Sequence, residues 1–521
     1  MSKMKLFYIL YYIFAFVLIS CSGHDDGYDN QAISQTECEV EPRIKSMEFH
    51  SKDNSQLLIN DVVCNIAGDS IITCRIPHFM QSKKLVPRVD YEGDEIRMES
   101  LGGAILVSGN TCCDFSKPVK LVVIKGDKRK NYLVFVQAYT GLPVCWIETE
   151  GRVPIESKDN YVNATFRLVE DVVTRGGGDV FEDSVQIKGR GNITWKKFPK
   201  KSYRLKFAEK VSLLGEPKDK SWVLLANYAD KTMLRNDLTF FMGQISSLEY
   251  TPSSHFVEVM LNGSYQGTYQ LTDKLKISKN RVDVGDDGFL LEIDDYAPYE
   301  EDARYFKVNY LAQPCINIKD PEVEYDDDNY VFIKQFVLKA EEVLFSDSFL
   351  DKDNGWQKYL DINSFVDYYI INEITKNTDA MWSSSFMNLI RGGILKMGPL
   401  WDYDLAYGNY SGIASMADYD GFRVKTNPWY SRLFEDPTFI SRVKERYDYF
   451  YNQKQIIAER INAIANYLEY SALENNNKWN VLYLEGWPNV SALGSYQNEV
   501  FYLKEWLFKR MDWLKSQYDK M

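Results

Sequence analysis

The chain has 521 residues, room for two to four domains at roughly 150 residues each, and its 45% hydrophobic and 14% aromatic content is that of an ordered globular protein. A net charge of −13 with no basic stripe argues against a nucleic-acid-binding surface, which needs Lys and Arg concentrated against the phosphates. Four scattered histidines and the lack of any CxxC pair argue against a structural zinc site or a histidine-based hydrolytic centre.

Residues 1–21 read as an address. Lys3 and Lys5 precede an unbroken apolar run over 6–19, shorter than the about 20 residues a membrane-spanning helix needs. Leu18-Ile19-Ser20-Cys21 resembles the cleavage box of a bacterial lipoprotein. Cleavage before Cys21 leaves a lipidated cysteine, and residues 22–40 then tether the folded part to a membrane of the cell envelope, the outer membrane or cell surface being expected. A soluble-secretion signal and a retained single anchor helix are the alternatives. Of eight cysteines, lipidation of Cys21 leaves an odd number, among which Cys64 with Cys74 is a conceivable strand-to-strand pair.

Over residues 41–143, alternation at 56–59, 70–76, 95–98, 104–107, 119–124 and 132–137 predicts short strands separated by turns, the profile of an all-β sandwich. The run Asp114-Phe115-Ser116, then Pro118-Val119 and a closing strand through Tyr132, Val134 and Val136, resembles the Ig-like modules that precede catalytic or binding domains in bacterial lipoproteins. That resemblance implies a spacer that holds the next domain off the membrane.

From residue 144 the pattern changes. The segment 188–195 is a glycine-bearing turn carrying Arg190 and Asn192, and it feeds a strand over 198–207. Alternation puts Lys201 on one face with Tyr203, Leu205 and Phe207, and Lys200, Arg204 and Lys206 on the other. A lysine on an apolar face needs an anion, which a nucleotide phosphate or a packed glutamate supplies, or it snorkels to the sheet edge. Residues 231–237 open an amphipathic helix that runs to Ile245, and 255–261 with 264–271 flank Asn262-Gly263, a strong hairpin signal. Gly176-Gly177-Gly178 has no Lys-Ser pair in reach for a phosphate loop and reads as a flexible turn. The acidic runs 286–302 and 320–328 lack the ligand spacing of a calcium loop and read as solvated loops.

The next unit carries the chemistry. Ile362, Phe365, Val366, Tyr369, Ile370 and Ile374 recur at helical spacing, with Asp361 or Asn363 placed to cap the start, so Asp379 falls in the loop beyond the end. Runs at 386–390 and 394–397 flank Arg391-Gly392-Gly393, a tight hairpin that returns the chain to Trp401-Asp402-Tyr403-Asp404. Two carboxylates at the mouth of one hairpin can divide the work of phosphoryl transfer, one orienting an acceptor hydroxyl and the other holding Mg²⁺ on nucleotide phosphates; the plain alternative is two solvated loop aspartates. The tail is helical, starting at Asp436-Pro437 and repeating at 456–468 and 500–514.

The series GRGNITW (189–195), FPKKSYRLKF (198–207), LLANYADKTMLRN (224–236), VEVMLNGSYQGTYQLTDK (257–274) and GPLWDYDLAYGN (398–409) resembles the spore coat protein H (CotH) kinase-like family, in order from about residue 144 to the C-terminus. The resemblance implies an α+β fold: an atypical, two-lobed protein-kinase-like domain over 144–521 with a helical C-terminal part over 430–521, preceded by the Ig-like β-sandwich. It implies ATP with Mg²⁺ or Mn²⁺ and a protein hydroxyl as acceptor. Residue by residue, Asp379 matches the catalytic-loop aspartate and Asp402 the metal-holding one, Lys201 would contact phosphate with Arg190 and Asn192 beside it, and Lys206 is the alternative lysine. Asp404 and Asn388 both stay open as a second metal ligand. The chain departs from the pattern at Ser384, five residues after Asp379 where a kinase loop has asparagine, and at Asp273, where the family commonly shows glutamate. Those departures keep a weakly active or inactive surface adhesin or glycan-associated protein as the alternative. A carboxylate-pair glycosidase using Asp379, Asp402 or Asp404 is the third class.

Overall fold

The computed structural model describes residues 41–521 except 56–57, 59–60, 77–82, 100–101, 139, 171–179 and 312. The leader with Cys21, the tether, Cys38, the triple-glycine run and most of the strand expected at 56–59 lie outside the described residues.

The first segment is all β. Arg43–Phe49 lies between Val62–Val63 and Arg88–Glu92, and a six-stranded sheet runs in the order Asn65–Ala67, Ile71–Ile76, Lys128–Ala138, Val119–Lys125, Glu95–Met98, Ala104–Ile105. Met47 and Phe49 from the first sheet and Ile72, Ile96, Leu121 and Val134 from the second fill one core. Arg43–Phe49 escapes the alternation rule because its register shifts between Ile44 and Ser46, which breaks the period of two. Cys64 and Cys74 meet in this core with their thiols hydrogen-bonded, and both are free rather than bridged.

Seven strands then close a barrel: Val144–Thr149, Val162–Val169, Val180–Arg190, Ser202–Val211, Asp219–Leu225, Ser264–Asp273 and His255–Leu261, the last returning parallel to the first. Its interior is packed with Phe166, Val185, Tyr203, Leu205, Phe207 and Trp222, with Phe166 edge-on to Phe207 at 5.4 Å. The turn of its last hairpin, Asn262-Gly263, has φ of +51° and +77°, the doubly left-handed pair that matches the twist of the flanking strands.

The remainder is a five-stranded antiparallel sheet wrapped by helices. The sheet order is Tyr305–Phe306, Cys315–Asp320, Phe289–Asp294, Ser385–Leu389, Lys396–Met397. Ile362–Thr375 runs through the middle of the largest core and is buried along all of its length from Ser364. Asp361 caps it by accepting from Ser364 N at 2.7 Å. Each fully buried Phe, Val or Ile of this helix contributes about 1.5–3 kcal/mol. Pro437–Asn452, Lys454–Tyr467, Glu469–Trp479 and Tyr496–Tyr518 form the helical C-terminal part, the first capped by Asp436 through Thr438 N at 2.7 Å. No helix among the described residues is long and apolar enough to cross a membrane.

The acidic runs need correction. Phe289–Asp294 is the central strand of the sheet, with Glu292 and Asp294 buried, and Asp328 starts the helix Asp328–Leu344. Buried carboxylates interrupt the apolar pattern that would have marked the strand.

Candidate active site

A cavity of about 700 Å³ lies between the outer face of the barrel and the loops that leave the Ile362–Thr375 helix and the Ser385–Met397 hairpin. One wall is basic. The strand Val180–Arg190 ends on Lys188 and Arg190, the next brings Arg204, and Lys274 completes the wall, while Lys200 lines the cavity with its ammonium turned to Thr268 O and Asn475 Oδ1. Glycines make the turn between these strands possible. A Cβ on Gly189 would stand 2.2 Å from the Trp195 ring, and Gly191 has φ of +97° with Thr194 Oγ1 2.1 Å from where a Cβ would be. Arg190 lies over the Trp401 ring at 5.2 Å. Burial lowers the Arg190 pKa and the Asp402 charge opposes that shift. Asn192, which also lines the cavity, accepts from Lys158 at 3.0 Å.

The opposite side carries three aspartates. After the helix, Lys376 turns left-handed and the main-chain oxygen of Asp379 accepts from the amides of Trp382 and Ser383, both at 2.9 Å. Arg423 secures this loop by donating to Thr378 O at 2.6 Å. Burial first and the neighbouring Asp402 second push Asp379 up to about 7, against the pull of Arg423. Asp402 sits at φ +67°, lines the cavity and is exposed there. Its Oδ2 accepts from Ser384 Oγ at 3.3 Å, and burial raises it against the attraction of Arg190. Asp404 is held well above the usual carboxylate range by burial, then by Asp402 and Asp230.

Tyr403, between Asp402 and Asp404, is pinned from two helices. Tyr403 N donates to Asn236 Oδ1 at 2.8 Å, and Tyr403 OH donates to Asn372 Oδ1 at 3.1 Å. Below it, Arg235 and Asp230 form a buried ion pair, and Arg235 also donates to Ala406 O at 3.1 Å. On the far side Glu292 pairs with Lys319 at 3.0 Å and is pushed up to about 7 by burial, which Lys319 opposes. Asp295 accepts from the Trp382 indole at 2.8 Å.

The structure therefore brings Asp379, Asp402, Asp404, Arg190 and Asn192 to one cavity, and leaves three of the expected residues elsewhere. The alternation of the 202–211 strand holds, but Tyr203, Leu205 and Phe207 fill the barrel, so the cavity faces the other parity. Lys201 instead donates to Trp195 O at 2.5 Å, and Lys206 is exposed over Tyr161. Asn388 donates to Gly398 O at 3.2 Å and borders a separate pocket of about 180 Å³. Asp273 is bound to Arg281 and to Tyr250 OH. Lys200, Arg204, Lys274, Glu292 and Lys319 were missed; for Lys200 and Arg204 the period-2 signal was present, but which face meets the rest of the chain is a tertiary fact.

A magnesium ion suits this donor set. Among the described residues no group of three or more His, Cys, Asp or Glu is arranged to hold a metal. Mg²⁺ takes one or two protein carboxylates and completes its shell with water and phosphate oxygens. Asp402 and Asp404 would offer that number; both line the cavity, and burial is the first cause of the raised pKa of each.

The fold is α+β, and one cavity sets Lys188, Arg190 and Arg204 beside Asp379, Asp402 and Asp404. The model of the CotH kinase protein family matches residues 185–514, more than half of the chain, and the chain belongs to that family. Curated proteins gave no match. Among solved structures, a crystal structure from Bacteroides thetaiotaomicron VPI-5482, of a protein proposed to be a glycoside hydrolase, aligns over 56% of this chain and 80% of its own at 12% identity. The TM-score of that alignment is 0.15.

Proposed function

We propose that this is an atypical protein kinase, exported and lipid-anchored through Cys21 in the bacterial cell envelope, that transfers the γ-phosphoryl group of ATP to a protein hydroxyl. The observation that carries the reading is the confrontation of Arg190, Lys188 and Arg204 with Asp379 and Asp402 across one cavity. Arg190 and its neighbours hold the triphosphate. Asp402, with Asp404, would hold Mg²⁺ or Mn²⁺, which when bound neutralises charge developing on the phosphate oxygens. Asp379 orients the acceptor hydroxyl and takes its proton as the oxygen bonds to the γ-phosphorus; the bond to the β,γ-bridging oxygen breaks and ADP leaves. A carboxylate poised near neutrality suits that proton transfer.

The test is transfer of labelled γ-phosphate by the full chain in detergent with Mg²⁺ or Mn²⁺, beside Asp379→Ala and Asp402→Ala. Transfer in the parent that is lost in both variants supports the kinase. Absence of both transfer and metal-dependent ATP binding in the parent overturns it and leaves a surface binding protein on this scaffold.

A further inference from the structure

Part of the cavity lining is aromatic. Phe198 follows the short helix Ile193–Lys197, Tyr228 follows the strand Asp219–Leu225, and Trp487 comes from the loop between the last two long helices; all three line the cavity. Their rings form a row, Trp487 to Phe198 at 6.0 Å and 34°, and Phe198 to Tyr228 at 5.1 Å and 36°. Phe198 is buried, whereas Trp487 leaves 49% of its surface open.

An indole this exposed on a loop invites the view that it is merely loose, but its loop is tied down. Asn489 donates to Ala229 O at 2.6 Å and to Asn409 Oδ1 at 2.9 Å, and Pro488 O accepts from Ser411 N at 2.9 Å. Ala229 adjoins Tyr228, and Asn409 lies five residues past Asp404, so the loop carrying Trp487 is fastened to both the aromatic row and the carboxylate segment. A fixed, half-open aromatic face at the edge of a charged cavity is a stacking platform.

We propose that Trp487, backed by Phe198 and Tyr228, stacks against the purine base of the nucleotide, with the triphosphate running from there to Arg190 and the carboxylates. This rests on the phosphotransferase reading and adds the part of the ligand that reading leaves unplaced. The occupant follows from continuity: one cavity of about 700 Å³, within the roughly 300–1,000 Å³ range of small-molecule sites, joins a planar apolar wall to a basic one, and a nucleotide has a planar base joined to phosphates.

The test compares ATP with inorganic tripolyphosphate, both with Mg²⁺, by calorimetry on the full chain. Trp487→Ala is expected to weaken ATP binding about five- to a hundredfold while changing tripolyphosphate binding less than twofold, and Trp487→Phe, which keeps a stacking face, is expected to restore most of the loss. Equal weakening of both ligands, or unchanged ATP affinity in Trp487→Ala, overturns the base platform while leaving the kinase standing. A parent that binds neither ligand overturns both.

Discussion

Arg510→Met is the sharpest test of how the Asp379 loop is held. Arg510, on Tyr496–Tyr518, and Glu373, on Ile362–Thr375, form an ion pair at 2.7 Å in which neither side chain has any exposed surface. The guanidinium makes three more bonds, to Glu373 O at 2.7 Å, Tyr419 O at 3.0 Å and Gly421 O at 2.6 Å. The carboxylate also accepts from the backbone amides of Arg423, Val424 and Lys425 at 2.7–3.1 Å. This one pair thus fastens the 419–425 loop to the helix end from which Asp379 hangs.

Replacing Arg510 with Met preserves much of the apolar stem and leaves Glu373 as a buried charge with amide partners only. Breaking a buried pair in this way costs about 3–5 kcal/mol. Adding Glu373→Gln removes the stranded charge while keeping a carbonyl for the loop amides, so the double variant is expected to be more stable than Arg510→Met alone. Urea unfolding followed by tryptophan fluorescence is the assay, since all eleven tryptophans lie between Trp146 and Trp513 and the N-terminal sheets are silent. A loss below about 1 kcal/mol, or a double variant no better than the single, would refute the reasoning.

Two further predictions concern residues that line the cavity. Lys200 is buried with its ammonium on Thr268 O and on Asn475 Oδ1 at 2.8 Å, and burial lowers it from 10.5 to about 7, against the pull of Glu258. Between those pH values the unfolded chain binds a proton that the folded chain does not, so this group's contribution to stability rises with pH by up to about 1.4 kcal/mol per unit and is flat below 7. The stability of the parent relative to Lys200→Met should therefore climb from pH 7 to pH 9 in urea titrations; a constant difference would contradict the shift. Gly189→Ala places a Cβ 2.2 Å from the Trp195 ring, so the Ile193–Lys197 helix must move, at about 1–3 kcal/mol. A lower melting temperature is the expected result, and an unchanged one would show that the turn gives way freely.

What the sequence makes legible here is what local chemistry decides. Asp361 before an apolar-faced run, Asn262-Gly263 between alternating strands and Asp436-Pro437 before a helix each specify geometry within four residues, and each stands in the structure as its chemistry requires. Asp379, Asp402 and Asp404 share a cavity because one capped helix and one hairpin deliver them. The misreadings arise where long-range packing decides. Lys201 lies on the predicted parity, but that parity is used up inside a closed barrel. Asn388 sits in a hairpin strand whose pairing turns it toward Gly398. Glu292 and Asp294 make a central strand look like a solvated acidic loop, because a buried carboxylate and an exposed one read alike in a one-dimensional pattern.

Backbone strain bears on why this place is a site at all. Lys376, Met381, Ser384 and Asp402 have φ of +46°, +60°, +50° and +67°, four non-glycine residues in the left-handed region along the two loops that present Asp379 and Asp402. Such conformations cost on the order of 1–2 kcal/mol each and persist only where the surroundings over-determine them. Here they are over-determined: Arg423 and the Trp382 and Ser383 amides grip the first loop, and Tyr403 anchors the second to Asn236 and Asn372. Glycine at any of the four would relieve the strain in a scaffold that only had to fold. The same loops also hold three carboxylates close together, each raised first of all by burial, so fold stability is lost twice over at one spot. Under the proposed function, a cation bound at Asp402 and Asp404 would lessen the second loss by favouring the charged carboxylates, whereas the backbone strain stays with the loops whether the cavity is empty or filled.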